Sequence, residues 1–286
     1  MKATDALFSL PQYLLPQHAL SRLMHHITRC KNRAFKNWFI QRFVDLYGVD
    51  MSEAREPDPT AYPHFNAFFT RPLKPDARPV CHDPDAVLCP ADGAISQLGD
   101  ISDDRVFQAK GKHFAVTQLL GGSESRALPF RNGKFATIYL SPRDYHRLHM
   151  PLTGTLREMI HVPGRLFSVN TATTNFVPGL FARNERVVAI FDTELGPMAL
   201  VLVGAIFVAS IETIWHGVVT PPTIPSPRVF SYSEAQRPAL SMGQEMGRFN
   251  MGSTIIVLFG PDAVRWDENL SASSTVRMGT CLGRRL

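Results

Sequence analysis

No stretch of this chain is long and apolar enough to cross a bilayer as a helix. The most apolar run, MALVLVGAIFVASI at 198–211, is interrupted by glycine and serine and ends at Glu212, which suits buried strands better. The N-terminus lacks a secretory apolar segment ending at a small-residue cleavage site, so no signal peptide is expected. Cysteine is scarce. Cys30, Cys81, Cys89 and Cys281 form no C-x-x-C pair and no zinc-type spacing with histidine, so we expect reduced thiols, a cytoplasmic setting and no metal site. There is no glycine-rich strand-to-helix junction, which argues against a dinucleotide fold. Internal repeats and low-complexity tracts are also missing.

What is present is a chain of 286 residues that is 44% hydrophobic and 19% charged, enough to bury a substantial core. The formal net charge is +5, and most of it sits early: residues 1–50 hold seven Lys or Arg against three Asp. Such a segment suits nucleic acid or an anionic membrane surface. Within RAFKNWFIQRFVDLYGV, Asn37, Gln41 and Asp45 recur every four residues, while Phe35, Phe39, Phe43, Leu46 and Tyr47 share a broad apolar arc. With Lys36, Trp38 and Arg42 alongside, this predicts an amphipathic helix suited either to a membrane interface or to the core. The basic excess lies among leucines and phenylalanines, and no nucleic-acid motif accompanies it, so no nucleic-acid partner is expected.

A polar, proline-bearing connection, MSEAREPDPT at 51–60, separates this segment from a different texture. KFATIYL (134–140), RVVAIFDT (186–193), MALVLV (198–203), IFVASIETIW (206–215) and TIIVLF (254–259) read as strands, with a hairpin turn at 194–196. The expectation is an α+β fold: a helical, membrane-associating segment over 1–60 and a mainly antiparallel β core over 61–286.

Three polar sites stand out. PADGAIS at 90–96 places Asp92-Gly93 before a strand, an ordinary Asx-turn on its own. SPRDYHRLHMP at 141–151 packs Arg143, Asp144, His146, Arg147 and His149 behind an apolar strand, denser than packing requires. FNMGSTIIVLFG at 249–260 sets Gly252, Ser253 and Thr254 at the mouth of a β-branched run. Read alone, that triplet is a hairpin turn. Together the three supply an Asp, a His and a Ser, the set that activates a serine hydroxyl by a carboxylate-oriented base. The G-x-S-x-G elbow of α/β-hydrolases is absent around Ser253. At i,i+3, His146 and His149 share a face on a helix but point apart on a strand.

The segments FNAFFTRPLK (65–74), PADGAISQLG (90–99), QAKGK (108–112), YLSPRDYHRLHMP (139–151), VPGRLFSVN (162–170), LFARNERV (180–187), ASIET (209–213) and GQEMGRFNMGST (243–254) run through most of the chain. In order and spacing they resemble bacterial, pyruvoyl-dependent phosphatidylserine decarboxylases. Met251 replaces the leucine usual in that family's Leu-Gly-Ser-Thr motif, a volume-conserving change. The resemblance implies that Ser253 attacks the carbonyl carbon of Gly252, with His149 as general base and Asp92 orienting it. The chain is then cut between 252 and 253, and Ser253 becomes a covalent pyruvoyl group. That group decarboxylates phosphatidylserine to phosphatidylethanolamine through a Schiff base, with His146 binding substrate or moving a proton. The resemblance also implies a barrel-sandwich-hybrid-like core and a peripheral or monotopic place on the cytoplasmic face of the membrane. The expected assembly is a homo-oligomer of the processed α and β chains. Two alternatives remain at this point: a hydrolase using the same Asp, His and Ser on an external ester or peptide, and a non-catalytic membrane-associated binding protein.

Overall fold

The computed structural model describes residues 3–207, 210–221, 226–251 and 253–286. The chain opens with helices α1 (Ala3–Ser9), α2 (Gln17–Ile27) and α3 (Arg33–Tyr47), the first two joined through a 3-10 turn at Leu10–Tyr13. The start of α3 is capped by Asn32, whose side chain accepts the Phe35 amide at 3.0 Å; at its end Gly48 takes the left-handed conformation. The expected apolar arc divides in two. Phe39 stacks on Phe65 of α4 (Phe65–Phe69) and Phe43 meets it edge-on, whereas Trp38 and Leu46 are left 60% and 76% exposed. Ile40 and the stem of Lys36 form the buried face, and Lys36 Nζ donates to Thr60 O at 2.8 Å.

The core is strand. We label its principal strands β1 (Gly93–Asp100), β2 (Lys134–Tyr139), β3 (Arg147–His149), β4 (Gly154–Val162), β5 (Arg186–Thr193), β6 (Gly196–Val203), β7 (Ile211–Thr213), β8 (Glu245–Phe249) and β9 (Thr254–Phe259). The large sheet runs β4-β5-β6-β9-β2-β1, with short strands at both edges, and is antiparallel throughout. A smaller sheet aligns β7, β8 and β3. Among the described residues the large sheet is open, not a closed barrel.

β9 is the central strand. Thr254 pairs with Tyr139 on one side and Val203 on the other, and the register continues unbroken to Phe259. Its side chains alternate between two buried clusters. Ile255, Val257 and Phe259 face the small sheet through Met246, Phe249 and Leu148. Ile256 and Leu258 face a layer containing Phe114, Phe167 and Phe181. A strand covered on both faces needs a continuous apolar run, which is why TIIVLF lacks a polar alternation.

One expected strand is shorter than its apolar sequence. Within 206–215 only Ile211–Thr213 pairs as a strand, and residues 208–209 lie outside the described residues. Ile206 and Phe207 form a turn, with Phe207 at φ 67°, and both line a cavity. Their hydrophobicity serves that lining instead of a ladder.

The N-terminal helices are fastened to the core by buried amides. Gln12 Oε1 accepts the Ser168 amide at 2.8 Å, and Gln17 Oε1 accepts the Leu166 amide at 2.9 Å. Gln17 Nε2 in turn donates to Gln12 O at 2.8 Å. Gln17→Ala leaves the Leu166 amide unpaired in a buried place and is expected to cost about 1–3 kcal/mol. The check is the urea midpoint; a midpoint equal to wild type would mean that this contact does not fasten the segment.

Candidate active site

The site gathers at one end of the large sheet. The register Ala94↔Tyr139↔Thr254 sets the starts of β1 and β9 on either side of the end of β2. One rung beyond, Leu140 N donates to Ser253 O at 2.9 Å. Gly93, at the start of β1, has no room for a side chain: an added Cβ would lie 2.2 Å from Tyr139 O. This close approach puts Asp92, on the turn before β1, at the same end of the sheet as Ser253.

Ser253 is fully buried, and its Oγ has no hydrogen-bond partner. An orphaned buried hydroxyl is costly unless it has a chemical use. The chain before it is pinned. Asn250 N donates to Ser210 O at 2.8 Å, and Asn66 Nδ2 donates to Asn250 Oδ1 at 3.0 Å. Met251 holds φ 141°, a region that costs a non-glycine residue about 1–3 kcal/mol. Gly252, the expected partner of Ser253, lies outside the described residues.

The two histidines differ in setting. His146 is fully buried and stacks on Phe69 with ring centroids 4.0 Å apart. Its Nε2 lies 3.1 Å from Ser141 O, an atom that can only accept, so Nε2 carries the proton and Nδ1 presents a lone pair. That Nδ1 has no partner. Burial, reinforced by the nearby Arg71, pushes His146 down to about 3, so it is neutral near pH 7. His149 is part-buried on β3. Its Nδ1 lies 2.8 Å from Gly243 O, which fixes the proton on Nδ1, and its Nε2 accepts from Tyr145 Oη at 3.1 Å. Burial also lowers its pKa.

Asp92 is held by Arg78, whose Nε lies 2.8 Å from Oδ1 and whose Nη2 closes the pair on Oδ2. The Met278 amide also donates to Oδ1 at 2.9 Å. Asp92 and Ser253 thus stand at one end of the large sheet, while His149 ends β3 of the small sheet and His146 directly precedes it. Among the described residues, no hydrogen bond joins Asp92 to His149 or His149 to Ser253. The nearest tie is the His149 amide, which donates to Pro90 O at 2.9 Å. Sequence reasoning assigned no role to Asn66, Asn250, Arg78 or Tyr145. Asn66 and Asn250 fall inside segments that carried the resemblance, yet only their pairing across 184 positions reveals what they do.

Two cavities flank the 140–145 loop. One, of about 510 Å³, is mainly apolar; Phe8, Leu15, Tyr47, Phe69, Phe207 and Met251 are among its lining. The other, of about 270 Å³, is polar and is lined by Arg71, Arg78, Asp92, Arg143, Asp144 and Tyr145 among others.

Fold and site together define a self-contained α+β enzyme scaffold with a buried serine at the mouth of its central strand. The family model described as Phosphatidylserine decarboxylase matches residues 65–284, and a second, described as PSD, matches residues 7–48. The chain belongs to the phosphatidylserine decarboxylase family. It is 61% identical over 278 residues to the phosphatidylserine decarboxylase proenzyme of Pseudomonas putida (strain GB-1), covering 96% of both chains. To the proenzyme of Pseudomonas fluorescens (strain Pf-5) it is 63% identical over 279 residues, covering 97% of this chain and 96% of that one. To that of Ectopseudomonas mendocina (strain ymp) it is 60% identical, covering 97% of each.

Because His146 is buried neutral, the unfolded chain binds a proton there that the folded chain refuses. Stability is therefore complete above about pH 6.5 and is lost as pH falls from there toward about 3. His146→Gln is expected to flatten this acid limb in urea titrations run from pH 7 to pH 4. An unchanged slope would remove His146 as its source.

Proposed function

We propose that Ser253 is the precursor of the pyruvoyl group with which this chain decarboxylates phosphatidylserine to phosphatidylethanolamine. The observation that carries this reading is the buried, unpartnered Ser253 Oγ, held at the start of a fully buried strand in a chain of this family. The residues present fit the group: a buried, orphaned hydroxyl stands two residues after Met251, whose backbone holds a costly conformation.

Ser253 Oγ attacks the carbonyl carbon of Gly252 as its proton leaves to a base. The peptide C–N bond breaks, the nitrogen takes a proton, and an ester joins Gly252 to Ser253 Oγ. Loss of the Ser253 α-proton expels the Gly252 carboxylate and leaves a dehydroalanine at residue 253. Water then replaces its nitrogen, which departs as ammonia. In net terms one water is consumed, one ammonia is released, and residues 1–252 and 253–286 become separate chains, β and α.

His149 is the base in this reading. It is neutral with a lone pair on Nε2, so it can take a proton once the Tyr145 hydroxyl yields that position. Asp92 contributes negative charge nearby and is itself fixed by Arg78. The alternative of an external ester or peptide substrate finds less support, because the phosphatidylserine decarboxylase family model covers residues 65–284. When formed, the pyruvoyl ketone supplies an electron sink for the charge left as carbon dioxide departs. His146 serves the substrate. A neutral imidazole with a free Nδ1 lone pair accepts a hydrogen bond from the substrate's amine and orients it toward residue 253.

The substrate is a bilayer lipid, and the N-terminal segment suits that. Leu7 on α1, Leu14 in the turn that follows, and Trp38 and Leu46 on α3 are strongly exposed, within a segment, residues 1–50, that holds seven Lys or Arg against three Asp. No helix among the described residues is long and apolar enough to span a membrane. We place residues 1–60 peripherally on an anionic membrane surface at the cytoplasmic face. There the apolar cavity, rimmed by Phe8 and Leu15, opens toward lipid.

Ser253→Ala is expected to abolish self-cleavage, and His149→Ala to slow it by about 10²–10⁴-fold. Both are read from the masses of freshly synthesised chains over time, and normal cleavage in either rejects its assigned role. Replacing Leu14, Trp38 and Leu46 together by serine should weaken sedimentation with anionic vesicles at least about tenfold while leaving maturation intact. Equal sedimentation would remove these helices from membrane contact.

A further inference from the structure

Arg71 is the buried arginine of the polar cavity without an ion pair among the described residues; Arg143, also without one there, is exposed. Arg78 is paired with Asp92 and Glu53, Arg147 with Glu245, and Arg277 with Glu53. Arg71 is only 3% exposed, yet its Nε and Nη1 have no partner. Its Nη2 donates to Arg143 O at 3.0 Å, and its guanidinium lies 5.6 Å from the Phe68 ring centroid. A buried cation without a direct ion-pair partner is expensive, and burial, with the Arg78 charge adding to it, pushes this guanidinium below its usual range against the opposing pull of Asp92 and Asp144.

The polar cavity of about 270 Å³ that Arg71 lines also has Asp92 and Asp144 in its wall. Neither carboxylate serves Arg71. Asp92 is committed to Arg78 and the Met278 amide, and Asp144 accepts both the amide and the hydroxyl of Ser141 at 2.6 and 2.7 Å. Arg71 therefore brings unspent N–H donors, on Nε and Nη1, to the wall of this cavity, and guanidinium donors of this kind bind a carboxylate or a phosphate.

Its position relative to the apolar cavity is informative. Tyr47, Phe69 and Pro142 line the apolar cavity, while Gly48, Arg71 and Arg143 line the polar one. The same three segments thus separate an apolar space from a cationic one, with His146 stacked on Phe69 between them. An amphiphile whose acyl-glycerol part lies in the first space brings its charged headgroup to the second.

We propose that Arg71 is the anion-binding residue of the headgroup pocket, taking a negatively charged group of the phospholipid substrate on its unspent guanidinium N–H donors. This rests on the decarboxylase reading. The substrate offers two such groups, the serine carboxylate and the phosphodiester.

The test uses matured enzyme, verified by mass, with dispersed short-chain phosphatidylserine as substrate and phosphatidylethanolamine of the same chain length as inhibitor. Arg71→Gln should raise KM for phosphatidylserine at least about tenfold, with Arg71→Lys in between because it keeps the charge but loses the planar set of donors. A parallel rise in the inhibition constant of phosphatidylethanolamine identifies the phosphodiester. An unchanged inhibition constant identifies the carboxylate, which the inhibitor lacks. Both constants within twofold of an active wild type overturn the proposal alone. A matured wild type without decarboxylase activity overturns the reading beneath it, and the proposal with it. Should Arg71→Gln fail to mature, wild type and Arg71→Lys are compared for inhibition by inorganic phosphate against sodium chloride at equal ionic strength. Phosphate-specific inhibition, weakened in Arg71→Lys, supports the site, and its absence in wild type overturns it.

Discussion

The burial of one strand on both faces and both edges governs the rest of this molecule. β9 is hydrogen-bonded along its full length to β2 and β6, and its five apolar side chains from Ile255 to Phe259 are fully buried. At about 1.5–3 kcal/mol each, those side chains alone contribute on the order of 10 kcal/mol to holding the strand in place. Residue 253 is thereby fixed with a precision that a loop would not provide. A chain cut just before β9 loses one covalent bond and almost none of its packing. The downstream piece stays because it carries the centre of the core.

Around that fixed point the local contacts have a clear division of labour. Asn66, Asn250 and Ser210 hold the chain entering the site, and Leu140 holds it leaving. The close approach at Gly93 brings the Asp92 turn to the same end of the sheet. The two histidines, three residues apart, are given opposite surroundings. His146 is sealed beside Phe69 and Arg71, whereas His149 keeps its basic nitrogen against the Tyr145 hydroxyl. The N-terminal segment completes the apolar cavity through Phe8 and Leu15, so the cavity wall and helix docking depend on the same glutamine contacts.

Much of this was legible in the sequence wherever periodicity or local chemistry is enough. TIIVLF, RVVAIFDT and KFATIYL form strands at or within a residue of the expected limits, and the helical character of residues 1–50 follows from the recurrence of Asn37, Gln41 and Asp45. Asp-Gly at 92–93 does precede a strand, but the need for glycine comes from Tyr139 O, a partner that local sequence does not reveal. Ile206 and Phe207 mislead because a cavity wall and a strand interior ask for the same side chains. The roles of Gln12, Gln17, Arg71 and Arg78 escape any single-sequence reading, since each is defined by a partner chosen in three dimensions. In particular, the pairing of Asp92 with Arg78 shows a carboxylate held away from the histidine expected to use it.

The central claim is that this chain converts its own Ser253. The most direct measurement is the intact mass of the purified wild-type protein under denaturing conditions. The account predicts two chains, residues 1–252 and a pyruvoyl-headed 253–286, whose summed mass equals the precursor plus one water minus one ammonia. A single chain of 31.9 kDa with an unmodified Ser253, stable on incubation, would contradict it.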